Sequence, residues 1–190
     1  MILLMEGFDR TGKTTLGTML ADELHLPVCH FGVPPVEPRA CFDYFRHGLA
    51  DAQKAYPAGY VLDRFHLSNA VYGPLLGGGI LDEHDYRLLD YHLANMQATL
   101  ILMCDKPHTL QERLQQEDEE VIRGLTVAQV GEMQNQFGML FDQSQVPYKS
   151  SFTLRQFVDE GGVRTAQFRE LVSALFKRQQ QVEFLRSMME

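Results

Sequence analysis

The residues Gly7-Phe8-Asp9-Arg10-Thr11-Gly12-Lys13-Thr14 form a complete G-x-x-x-x-G-K-[ST] phosphate loop, and its flanks constrain the fold. Ahead of it, Ile2-Leu3-Leu4-Met5 predicts a short buried strand. Behind it, Leu16, Met19, Leu20 and Leu24 recur at helical spacing. Strand, glycine turn and helix in that order aim successive backbone N–H groups at one anion. Gly7 and Gly12 allow an approach that a Cβ would block. Gly7, Thr11, Gly12, Lys13, Thr14 and Thr15 are therefore expected around the phosphates of ATP. Lys13 would reach the β- and γ-phosphates, and the Thr14 hydroxyl would sit on Mg²⁺. A chance lysine beside a glycine turn would lack these flanks.

With 190 residues the chain reads as a single domain, 1–190, with a sizeable core. Its 17 basic and 25 acidic residues give a net charge of −8, which disfavours a nucleic-acid partner without excluding a local basic groove. Cys29, Cys41 and Cys104 are scattered and odd in number, and read as reduced thiols of a cytoplasmic protein. The N-terminus runs straight into the first strand, leaving no room for a signal peptide. No apolar stretch is long enough for a membrane span. The seven histidines show no clustering of the kind a protein-built zinc site needs.

Further core strands are expected at 59–62 and 99–104, with weaker candidates at 27–31 and 152–158. Helical patterns lie around 39–55, 64–75, 82–97, 107–117, 126–143 and 164–188. This alternation predicts an α/β fold of three layers, a parallel sheet of about five strands between helices. Pro107 suits a first helical turn, and Thr126 suits an N-cap. Gly77-Gly78-Gly79 must be a loop. The acidic run Glu117-Asp118-Glu119-Glu120 falls within an expected lid, about 116–125, and reads equally as a flap over the nucleotide or as a solvated helix end.

The second informative stretch is Asp63-Arg64-Phe65…Ser68-Asn69-Ala70…Tyr72. An Asp at the carboxyl end of a buried strand lies where open α/β sheets bind ligands. Asp63 is thus placed to hold Mg²⁺ beside Thr14, and Arg64 to clamp phosphate with its planar fork. Alone, such an Asp-Arg pair would read as a helix cap and a surface cation.

Together, the loop Gly7–Thr15 and the Asp63–Tyr72 segment resemble thymidylate kinase, whose G-x-D-x-x-G-K-[ST]-T and D-R-[YFH]-x-x-S motifs they match. The resemblance is dense over roughly the first 75 residues, and beyond them only the order of elements agrees. It implies roles residue by residue. Asp9 would accept from the acceptor's sugar hydroxyl, and Arg10 would supply the catalytic arginine from the loop. Arg64 would hold the acceptor phosphate, while Asn69 and Tyr72 would line the pyrimidine and deoxyribose pocket. Phe42 and Arg46, four apart and so on one helical face, would stack on and read the base. Phe42 also reads as an ordinary core position. The resemblance further implies a homodimer and small nucleotide substrates.

Transfer of the ATP γ-phosphate to a pyrimidine deoxynucleoside monophosphate, dTMP or a 5-substituted dUMP, is the expected function. Lys13, Arg10, Arg64 and Mg²⁺ would neutralise the phosphates, with Asp63 as the fourth catalytic residue. The departures fall around the acceptor. Only Val36-Glu37-Pro38-Arg39 stands where the family has a glycine-bearing segment, the stretch from Arg46 to Asp63 is short, and Gly77-Gly78-Gly79 has no counterpart. A deoxynucleoside kinase is the nearest alternative, since its carboxylate base could be Glu37, otherwise an acceptor-pocket residue. Another is a kinase acting on the hydroxyl of a modified pyrimidine, free or in DNA. A nucleotide-gated switch has no evident use for Arg64.

Overall fold

A computed structural model describes residues 1–115 and 120–188, the side chains of 120, 185 and 186 excepted. The elements run β1 (Ile2–Gly7), α1 (Lys13–Leu24), β2 (Val28–His30), α2 (Pro38–Ala55), β3 (Tyr60–Asp63), α3 (His66–Leu76) and α4 (Glu83–Asn95). They continue β4 (Thr99–Met103), α5 (Pro107–Leu114), α6 (Glu120–Arg123), α7 (Val127–Gln143), β5 (Tyr148–Phe152) and α8 (Ala166–Ser187). All five strands are parallel, in the order β2-β3-β1-β4-β5.

Helices cover both faces, so the three inner strands are apolar without alternation. Leu4, Leu62, Leu100 and Leu102 face one core with α2, α3, α4, α5 and α7. Leu3, Met5, Val61, Ile101 and Met103 face the other, under α1 and α8. Each fully buried Leu or Phe contributes about 1.5–3 kcal/mol, so these two layers hold the sheet. The register sets Met5 beside Asp63 and Gly7 beside Met103, gathering the ends of β1, β3 and β4 at one edge. His30, the last residue of β2, pairs with Asp63 there too.

One strand lies elsewhere than the apolar pattern suggests. Residues 152–158 are not a strand beyond Phe152: Leu154–Gln156 is a 3₁₀ turn and Val158 forms only an isolated bridge to Arg164. Phe157 is buried there because it packs into the α1–α8 core. The fifth strand is the polar Tyr148-Lys149-Ser150-Ser151-Phe152, an edge strand half open to water. Thr126 does cap α7, through a reciprocal capping box with Gln129, and Pro107 opens α5. Of the expected lid, residues 116–119 lie outside the described residues, and with them nearly all of the acidic run.

A buried polar joint fixes α3 to α4 and to the end of α7. His66 Nε2 lies 3.0 Å from Asp90 Oδ1, and Asp90 also accepts from Ser144 Oγ and the Gln145 N–H. Burial alone would raise the Asp90 carboxyl, but these bonds outweigh it and hold its pKa below the ordinary 3.8. A depressed carboxylate stabilises the fold above its unfolded pKa, and that stability is lost as pH falls through the folded value. Asp90→Asn is therefore expected to cost about 1–3 kcal/mol at neutral pH. In urea titrations from about pH 5 to about pH 3, the difference between the two proteins should shrink. A constant difference would show that ionisation of Asp90 contributes nothing.

Candidate active site

The chain leaves β1 through Gly7 at φ 132, where a Cβ would stand 2.1 Å from the Met103 carbonyl oxygen. No other residue fits so close to β4. The loop ends at Gly12, φ 93, which caps α1 in the left-handed region. The first turn of α1 holds no acidic side chain, so its N–H groups and dipole remain available to an anion. Thr11 is buried and ties the loop by donating to the Phe8 carbonyl at 2.6 Å.

Lys13 is also buried. Its Nζ donates to the Phe8 carbonyl at 2.8 Å and lies 3.4 Å from Asp9 Oδ1. Burial pushes the ammonium pKa down, against the pull of Asp9. Asp9 meanwhile accepts from Arg64 Nη2 at 2.6 Å, and its backbone N–H donates to the Tyr72 hydroxyl at 2.7 Å. One carboxylate thus joins the phosphate-loop lysine to the arginine that follows β3. Tyr72 is buried, which pushes its hydroxyl well above the ordinary 10, and the Arg64 guanidinium lies over its ring.

Asp63 sits beside Thr14 as expected: the Thr14 hydroxyl donates to Asp63 Oδ2 at 2.9 Å. His30 Nδ1 lies 3.3 Å from the same oxygen. Among the described residues, Asp63 Oδ1 is buried without a hydrogen-bond partner. A hydroxyl next to a carboxylate with an orphaned oxygen fits Mg²⁺, which keeps several waters and needs few protein ligands when phosphates supply the rest. Among the described residues no group of three or more His, Cys, Asp or Glu side chains could hold a metal by itself.

Two clefts meet here. The first, with a free volume of about 280 Å³, is lined by Asp9, Arg10, Gly12, Lys13, Thr14, Thr15 and Arg64. The second, narrower with a free volume of about 50 Å³, is lined by Phe31, Phe45, Phe65 and Tyr72, with Asn69 and Arg64 beside them. Arg64 borders both. Arg10 and Arg64 are left-handed at φ 61 and 67, although neither is glycine. Such geometry costs of order 1–3 kcal/mol and gathers at functional sites.

Not every expected acceptor residue is brought to these clefts. Phe42 is buried under Arg39, and Phe45, three residues on, is the ring at the cleft wall. Arg46 stands half exposed on the outer surface, bonded to Asp43. Glu37 caps α2, accepting from the N–H groups of Arg39 and Ala40, and lines neither cleft. The four-residue spacing placed Phe42 and Arg46 on one face, but that face turns from core to solvent rather than into the cleft.

One residue at the site escaped the motif reading. Glu6, the only charge in β1, is fully buried. It accepts from the N–H groups of Phe65, Leu67 and Ser68, and from the Ser68 hydroxyl. It therefore fixes the start of α3 directly behind Arg64. A carboxylate inside an otherwise apolar strand was the available signal.

The fold recurs in known structures. The YorR protein of Bacillus subtilis, solved with phosphorylated GDP, superposes with a TM-score of 0.70 at 17% identity, over 92% of this chain and 95% of that one. The likeness is one of fold, a five-stranded parallel sheet between helices. Deoxyadenosine kinase from M. mycoides with bound dATP superposes at 0.57 and 13% identity, over 92% of this chain and 99% of that one. The same kinase with dCTP gives 0.52 and 14%, over 93% and 100%. No protein-family model matches the chain, and no curated protein matches it by sequence. Among the described residues no helix is long and apolar enough to cross a membrane.

Proposed function

We propose that the protein transfers the γ-phosphate of ATP to a pyrimidine deoxynucleoside monophosphate, dTMP or a 5-substituted dUMP. The observation that carries this is Arg64, which borders both the phosphate-loop cleft and the aromatic cleft. A cation at that junction can hold an acceptor phosphate in line with the donor, and a flat base suits the four-ring cleft beyond it. An acceptor phosphate oxygen attacks the γ-phosphorus, the bond from that phosphorus to the ADP oxygen breaks, and ADP leaves with the electron pair. No protein base is required, because a phosphate monoester is already ionised near neutral pH.

Lys13, Arg10 and the N-terminus of α1 stabilise the charge on the transferred group. Arg64 must exchange Asp9 for the acceptor phosphate. Thr14 and Asp63 would hold Mg²⁺, which would supply positive charge to neutralise the donor phosphates. The likeness to deoxyadenosine kinase favours a second reading, transfer to a sugar hydroxyl. That reaction needs a carboxylate base, and Glu37 is engaged in capping α2.

The test is ADP release from Mg·ATP with dTMP, dUMP, 5-hydroxymethyl-dUMP, dCMP, purine monophosphates, thymidine and duplex DNA containing hydroxymethyluracil. Turnover on dTMP or a 5-substituted dUMP, with its Mg²⁺ dependence weakened by Asp63→Asn, is the expected result. Activity on thymidine or DNA alone would replace the acceptor assignment. Silence on the whole panel would remove the kinase.

A further inference from the structure

Asn69 and Gly78 have no part in the chemistry above, yet both line the aromatic cleft, and Asn69 bonds Gly79 beside it. That cleft follows one face of α3, where Ser68, Asn69, Tyr72, Gly73 and Leu76 recur every three or four residues. The 11 residues of α3 make it roughly 16 Å long. Arg64 makes the near end charged, while Leu76, Gly78, Val33 and Pro34 make the far end apolar.

Glycine lets two chain segments touch at this far end. A Cβ on Gly79 would stand 1.9 Å from the Pro35 carbonyl oxygen and 2.7 Å from Cys41 Cβ. On Gly78 it would stand 2.9 Å from Val33 Cγ1. Asn69 then locks the segment in place. Its Nδ2 donates to the Gly79 carbonyl at 2.7 Å, and its Oδ1 accepts from the Leu81 N–H at 3.0 Å, both buried. A wall of backbone pressed on backbone cannot swing aside as a single side chain can.

We propose that this strap, Gly78 and Gly79 folded against Val33–Pro35 and locked by Asn69, sets the size of base that the acceptor cleft admits. The inference rests on the kinase reading above: with the acceptor phosphate at Arg64, the base reaches the apolar end. A one-ring pyrimidine is accommodated, and a two-ring purine meets the strap. Base selection then lies with the strap rather than with Phe42 and Arg46 on α2.

The experiment compares wild type with Gly79→Ala, which drives the strap off Pro35, and Asn69→Ala, which unlocks it. Gly77→Asn is the control, since Gly77 is left-handed at φ 63 with open space around it and Asn tolerates that region. Steady-state kinetics with dTMP and dGMP should show the pyrimidine-to-purine ratio of kcat/KM falling about tenfold or more in both variants. The control should keep the wild-type ratio, and KM for ATP should stay unchanged throughout. A ratio that stays constant, or equal losses on both acceptors, would overturn the strap's role. Should both variants fail to fold, Gly78→Ala, which meets only the tip of Val33, carries the same expectation at smaller size. If wild type turns over no acceptor, the kinase reading fails, and calorimetric binding of dTMP and dGMP tests the strap alone. Equal preference in wild type and Gly79→Ala would then sink it.

Discussion

Lys13→Met is expected to lower turnover by about 10³-fold with little loss of stability. Met fills nearly the same volume in the buried site. Asp9 keeps its bond to Arg64, and the Phe8 carbonyl keeps the Thr11 hydroxyl. What disappears is the charge that would move from Phe8 and Asp9 onto the γ-phosphate as it develops negative character. The effect should therefore fall on kcat at saturating ATP and acceptor, while KM for the acceptor changes little. Comparison of turnover and melting temperature for the two proteins checks both halves. A loss below about tenfold would shift the work of charge stabilisation to Arg10.

Glu6→Ala should be the most destabilising change at the site. It strands the N–H groups of Phe65, Leu67 and Ser68 and the Ser68 hydroxyl in a dry interior. Each unsatisfied group costs about 1–3 kcal/mol, and since neighbours share the loss a total of about 4 kcal/mol is expected in urea denaturation. Glu6→Gln keeps the shape and should cost about 1–2 kcal/mol. Burial pushes the Glu6 carboxyl up from its ordinary 4.5, so the folded chain disfavours the charged form. Its contribution is then full below about 4.5 and diminishes as pH rises through the folded value. Glu6→Gln should flatten that part of the stability profile, and an unchanged profile would show that Glu6 does not titrate there.

The phosphate-loop side of the site was legible because it is local. Strand, loop and helix are contiguous, and the glycines, Lys13 and Thr14 stand in fixed spacing. Asp63 was legible too, since a carboxylate ending an apolar run emerges at the carboxyl edge of the sheet. The aromatic cleft is assembled from the segment after β2, α2, α3 and the glycine loop, which are distant in sequence. Which face of α2 meets the cleft depends on helix rotation, and periodicity could not separate Phe42 from Phe45. The inner strands declared themselves by continuous apolar residues. The fifth strand did not, because an edge strand needs only backbone pairing with β4 and tolerates Lys149, Ser150 and Ser151.

On the proposed roles of Arg10 and Arg64, their left-handed backbone sets stability against function at two positions. Glycine would adopt either conformation without the Cβ penalty, so exchange at these points relaxes the folded chain while removing the cations proposed to meet phosphate. Most of the molecule offers no such conflict, since its core is improved and its activity preserved by the same close packing. A selection applied to thermal endurance alone would discard both arginines early. Their persistence in a lineage would thus record pressure on catalysis, separately from pressure on folding.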